Sequence, residues 1–257
     1  MLLSLLDYPW RLAVGLFFAI LMAQEVGYRL SQRIRVNSDP QNHEQIVSLR
    51  DAMLLLLSFV LGFTFSMALT RYDLRRELVV NEANAISTTS LRARMLPEAQ
   101  QARMLDLLRQ YVDTRVRLYD AGLDVHLRQA ALEQGKLLQD QMWDTSVAIS
   151  HLDRSSVFAA FTDSLNETIA LDEKWRTATE NRIPPVIWCL IMFMTLLAVF
   201  TAGYSLHKRF WFATVLLPLT FAVLISLIVD LDAPSSGLIG QGHETTSRLQ
   251  QDLHRER

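Results

Sequence analysis

The chain has 257 residues, half of them hydrophobic, with a formal net charge of −2 and a mean hydropathy of +0.16. That net charge says nothing about nucleic acid, and no nucleic-acid partner is expected. Cys189 is the single cysteine, which excludes an intramolecular disulfide. The apolar residues collect in long runs, unlike those of a water-soluble core.

The first run, 12–23, is short. Pro9 suits a first helical turn, Arg11 can snorkel, and Tyr28 and Arg29 make a far boundary. The segment predicts a helix over about 9–29, with Gln24 and Glu25 in its last turns. A carboxylate at that depth is either interfacial and hydrated or turned to a buried partner or cavity. A loop over 30–51 follows, with Arg33, Arg35 and Arg50.

Residues 52–70 carry no charge and predict a second span. Ser58, Gly62, Ser66 and Thr70 recur every fourth residue and form a small-residue ridge for close helix packing. Phe59, Phe63 and Met67 recur beside them, ~100° round the helix. That second ridge can face lipid, fill a bundle, or form an apolar pore neck if several copies surround an axis.

The 71–182 stretch predicts a helical extramembrane domain, with helices at about 72–96, 98–121, 124–151 and 155–181. Its apolar residues recur by threes and fours, as in Leu105, Leu108, Val112, Val116 and Tyr119, or Phe158, Phe161, Leu165 and Ile169. Pro97 separates the first two helices, Glu98 suits a first turn, and Gly122 is a C-terminal cap. At its start, Asp73 is placed to pair with Arg76, and Glu77 and Glu82 lie within a turn or two of the same basic residues. Arg71, Arg75 and Arg76 either anchor to lipid phosphates or line an anion-attracting vestibule.

Two further uncharged runs, 183–206 and 210–229, predict a second pair of spans joined by His207, Lys208 and Arg209. A polar tail, 230–257, completes the chain. Asp230 and Asp232 begin it, and a turn follows at Pro234–Gly237. Two carboxylates fall far short of calcium's six to eight oxygens, so a plain helix end is expected there. The six histidines are scattered, Asn166 stands in a glycosylation sequon inside a predicted helix, and no catalytic or metal-binding motif is present. No catalytic residue, metal or cofactor is expected. Short-loop basic residues lean towards a cytoplasmic 30–51 loop, and the juxtamembrane arginines of the long stretch pull the other way.

The fold class read from these elements is all-α: a four-span membrane protein with a helical extramembrane domain between spans two and three. Span two running into RYDLRRELVVNEANAISTTSLRARMLP, then RIPPVIWCLIMFMTLLAVFTAGYSL, then VDLDAPSSGLI, resembles the bestrophin-like family of bacterial membrane proteins. The resemblance covers roughly 50–240. It implies the bacterial inner membrane and a relation to bestrophins, which are pentameric calcium-regulated chloride channels. In those, apolar residues every fourth position of the second span form a narrow neck, and Phe59, Phe63 and Met67 match that spacing. Bestrophins bind calcium with an acidic cluster after the last span; Asp230 and Asp232 are the only candidates for it here, and the cluster itself is missing. The resemblance thus implies a homo-oligomeric pore with anions as partners. The other reading is a non-conducting scaffold or signalling protein whose helical domain docks a partner.

Overall fold

The computed structural model describes residues 9–34, 40–122, 124–151, 153–206, 211–233 and 243–255. The described residues form eight helices and no strand: α1 (Pro9–Ile34), α2 (Pro40–Ala93), α3 (Glu98–Asp120), α4 (Val125–Ser150), α5 (Ser156–Glu180), α6 (Pro185–Tyr204), α7 (Trp211–Asp232) and α8 (His243–Arg255). They divide into two compact units, one of 1–70 with 182–238 and one of 71–181 with 239–257.

The largest departure from the sequence reading is α2. The segments expected at 52–70 and 72–96 are one helix of 54 residues. Charged residues are good helix formers, so the change at Arg71 marks a change of solvent and not a helix end. At ~1.5 Å per residue such a helix is about 80 Å long, far beyond the ~30 Å hydrocarbon core. Only the uncharged 52–70 portion fits that core. The 30–51 loop is largely helical too, because α1 runs on to Ile34 and α2 begins at Pro40. Among the described residues four helices are long and apolar enough to cross a membrane, and the chain is a membrane protein.

The ends of α3, α4 and α5 follow local chemistry. Pro97 precedes α3 in an extended conformation. Gly122 takes φ +49 just past its end, a left-handed conformation that glycine adopts without a Cβ penalty. The Asp124 carboxylate accepts the His126 and Leu127 N–H groups to start α4, and the Ser155 hydroxyl accepts from Phe158 to start α5.

In the first unit α1 packs against α6 and α7. A Cβ on Gly203 would overlap the Gln24 carbonyl, and one on Gly27 would overlap that of Phe200, so glycine lets the two backbones touch. Arg50 donates to the Ser205 hydroxyl at 3.2 Å, which sets a cation at the C-terminal end of α6.

In the second unit Ile86, Leu108, Tyr111, Met142, Phe161 and Leu165 share one core. The tail is not simply polar: α8 packs on α3, burying Leu253, with Arg109 Nε donating to the Leu253 carbonyl at 3.1 Å. Gln250 donates to Asp113 at 2.8 Å. The His207–Arg209 link and the turn at Pro234–Gly237 lie outside the described residues.

Candidate functional site: the outward face of α2

Along the apolar part of α2, Leu57, Leu61, Thr64 and Ala68 are buried. They form a buried stripe at helical spacing. The opposite side is open. Phe59 and Phe63 are 65% and 61% exposed, and their rings meet edge-on with centroids 4.6 Å apart. Met67 is half-buried one turn on.

Ser58, Gly62, Ser66 and Thr70 are all exposed as well. Ser58 and Thr70 turn their hydroxyls back to the carbonyls of Leu54 and Ser66, at 2.8 and 2.9 Å. A Cβ at Gly62 would meet nothing within 4 Å. The small ridge therefore packs no helix among the described residues. The close backbone contact within the chain is made by Gly27 and Gly203, which the four-residue pattern in span two did not reveal.

The three arginines do not act as one set. Arg75 is fully buried. It therefore faces neither lipid phosphate nor an open vestibule. Arg71 is half-buried and donates to the Asn181 carbonyl at 3.3 Å, and Arg76 is exposed. Glu25 resolves the question raised by its depth: it pairs with Arg29 at 2.6 Å, and its carboxylate stays 26% exposed.

The second unit holds a buried ionic cluster. Arg115 bridges two carboxylates, Glu82 Oε2 at 2.6 Å and Asp172 Oδ1 at 2.9 Å. Asp172 also takes Arg176 at 3.0 Å and Gln139 at 2.8 Å, and Tyr111 donates to Glu82 at 2.8 Å. The Arg115 guanidinium lies 4.6 Å from the Trp175 ring centre. Two acids balance two arginines, and the network ties α2, α3, α4 and α5 together.

Burial pushes the Glu82 carboxyl up, and the neighbouring Arg115 only partly reverses this. Burial also drives the phenols of Tyr111 and Tyr119 above their ordinary value. Burial alone would weaken the charge on Arg115, yet Glu82, the tyrosines and Asp172 hold it more firmly protonated than usual.

Glu82 was expected to serve the basic residues of its own helix. Its partner instead lies on α3, and no ion pair joins Asp73 to Arg76 among the described residues. A signal was present: Arg115 stands three after Val112 and four before Tyr119, a charge on an apolar stripe.

The sequence matches the Bestrophin-like domain family over residues 14–240. The chain belongs to the bestrophin-like family. No curated protein matches it. Crystal structures of a bacterial bestrophin homolog from Klebsiella pneumoniae share the fold. One point variant superposes with a TM-score of 0.68 at 17% identity, covering 93% of this chain and 98% of its own. Another gives 0.69 at 14% identity, covering 95% and 96%. A crystal structure of a membrane protein, again a variant, gives 0.69 at 16% identity, covering 94% and 98%.

No group of three or more His, Cys, Asp or Glu side chains is gathered among the described residues. Asp230 and Asp232 are buried, and both oxygens of Asp232 receive the Ile183 N–H at 3.2 and 3.3 Å. That carboxylate stands beside the N-terminal end of α6, where a negative charge is favoured without any metal.

Proposed function

We propose that several copies of this chain surround an axis in the bacterial inner membrane and form an anion-conducting pore lined by α2. The observation that carries this reading is the outward face of α2. Two phenylalanines in the middle of a span are left open while the opposite face is packed. One chain offers too few polar residues within the membrane to enclose an aqueous path, so the path must lie between copies.

Phe59, Phe63 and Met67 would then ring a neck that stops ions by shedding water. The small ridge beside them would receive the adjacent copy's helix. Arg76, one to two turns beyond the uncharged segment, would concentrate anions at the mouth, an effect that salt screens over ~10 Å at 0.1 M. Family membership supports the reading, because bestrophins are anion channels.

The test is chloride flux into liposomes at matched reconstitution. Wild type should conduct, Phe63→Ala should conduct several-fold faster, and Arg76→Glu should lower the preference for anions over cations. A well-formed oligomer that conducts in none of the three forms rules the pore out.

A second reading rests on α4. Leu137, Trp143 and Val147 are 55%, 40% and 45% exposed on a helix of the second unit. Such side chains can dock a partner protein, as a non-conducting scaffold would require. Silent wild-type oligomers would favour it.

A further inference from the structure

Where α1 approaches the end of its apolar portion, the Glu25–Arg29 pair borders a cavity of about 300 Å³. Leu21, Met22, Glu25, Arg29, Trp211 and Thr214 line it. Trp211 is the first residue of α7 and 73% exposed, and tryptophan at the start of a span belongs to the level of lipid headgroups. The Arg29 side chain is 73% exposed although its Nε is held by Glu25. Its outer guanidinium edge is open to an incoming oxyanion.

Phe18, Met22 and Val26 are 57%, 67% and 53% exposed and recur every fourth residue along α1. They form an apolar track that runs up to the ion pair. The site thus has a charged head and a greasy approach, the two parts of a membrane lipid.

We infer that this cavity binds the headgroup of a zwitterionic phospholipid, an ethanolamine lipid in particular. The phosphate sits on Arg29, whose planar donors suit two oxygens at once. The ammonium sits by the Glu25 carboxylate and the Trp211 ring. Net charge decides between lipid classes. Among the described residues Glu25 cancels Arg29, so the pair itself has no surplus positive charge to hold a glycerol headgroup of net charge −1. Hydrogen bonding decides between amines. A primary ammonium donates to Glu25, whereas the quaternary ammonium of choline has no N–H to give.

Native mass spectrometry of the purified full-length protein tests this, with phosphatidylethanolamine, phosphatidylcholine and phosphatidylglycerol supplied in equal amounts. Wild type should retain the ethanolamine lipid best. Arg29→Gln should retain it about fivefold less, the worth of one basic residue at a lipid surface. Glu25→Gln should invert the order towards phosphatidylglycerol, because Arg29 is then uncompensated. Loss of structure cannot produce that inversion. Should Glu25→Gln fail to purify, Arg29→Lys serves, with retention between wild type and Arg29→Gln. Equal retention of all three lipids by wild type overturns the inference, as does an unchanged order in Glu25→Gln. Free phosphoethanolamine that displaces the lipid at equal concentration also overturns it, since the occupant would then be a soluble headgroup.

Discussion

The two units of this chain solve burial in opposite ways. The first turns large apolar side chains outward and brings backbones into contact: Val186 is 77% exposed and Phe193 63%, while Gly27 and Gly203 sit within the α1–α6 crossing. The second turns charges inward: Arg115, Glu82 and Asp172 are each nearly sealed from solvent. Lipid explains the first pattern, because an apolar side chain gains nothing by leaving hydrocarbon and close packing must come from shape. The second shows a water-facing bundle whose register is fixed by directional bonds. A buried ion pair adds little net stability over an apolar substitute, but it punishes any mismatch.

The strongest break of this contrast is Arg115→Met. It leaves the Glu82 carboxylate buried without its guanidinium and takes one of two from Asp172. Removing one partner of a buried pair costs roughly 3–5 kcal/mol. The thermal unfolding midpoint in detergent should fall by well over the effect of any single surface change. A midpoint within a degree of wild type would mean that the cluster does not hold the four helices.

Next in size is Gly203→Ala. The added methyl would stand 2.9 Å from the Gln24 carbonyl carbon and overlap its oxygen, and backbone cannot step aside as a flexible side chain can. Separating the helices should cost about 1–3 kcal/mol, the usual range for overpacking. The same midpoint measurement checks it, with Gly15→Ala as control, since nothing lies within 4 Å of a Cβ there.

A smaller effect, and one that depends on pH, belongs to Glu82. Its folded-state pKa is raised by burial, so its stabilising contribution is complete below the unfolded carboxylate range. That contribution is lost as pH rises through the folded value. Glu82→Gln has no such charge to bury. The gap between wild type and Glu82→Gln should therefore shrink as pH rises from the carboxylate range to neutrality. A gap that widens over that range would mean that attraction to Arg115 outweighs desolvation.

What the sequence disclosed, and what it hid, follows the reach of each signal. Uncharged runs marked the spans, and Pro97 and Gly122 marked helix ends within a residue or two, because caps act over three or four positions. Arg115 meets Glu82 and Asp172 across 33 and 57 residues, and no local pattern states such a pairing. The continuity of α2 was hidden for another reason: the charge change at Arg71 was read as a break, though nothing helix-breaking stands between Gly62 and Pro97. Helix α8 escaped because Leu249 and Leu253 make a very narrow stripe in a polar segment. On the outward face of α2 the ridges were legible as ridges, but their orientation was not, since spacing fixes a face and not what it looks towards.

The smallest expected effect on the single chain is the most informative about assembly. Gly62 and Gly203 are both glycines of membrane helices, yet a Cβ at Gly62 meets only open space. Gly62→Leu should therefore leave the thermal midpoint of the isolated protomer near wild type. Its neighbour Leu61 is buried, so Leu61→Ala should cost ~2–5 kcal/mol of stability as a cavity forms, and lower that midpoint accordingly. On a detergent gel or a sizing column the order should reverse. Gly62→Leu would push an adjoining copy's helix away and shift the population to smaller species, while Leu61→Ala would keep the assembly that its weakened fold still permits. This reversal depends on a second copy resting against the small ridge. If Gly62→Leu assembles like wild type, the ridge faces lipid, and the pore must be sought elsewhere than beside Phe59 and Phe63. If it instead unfolds the protomer as Gly203→Ala does, then α2 packs inwardly on that side, and the contrast between the two glycines is wrong.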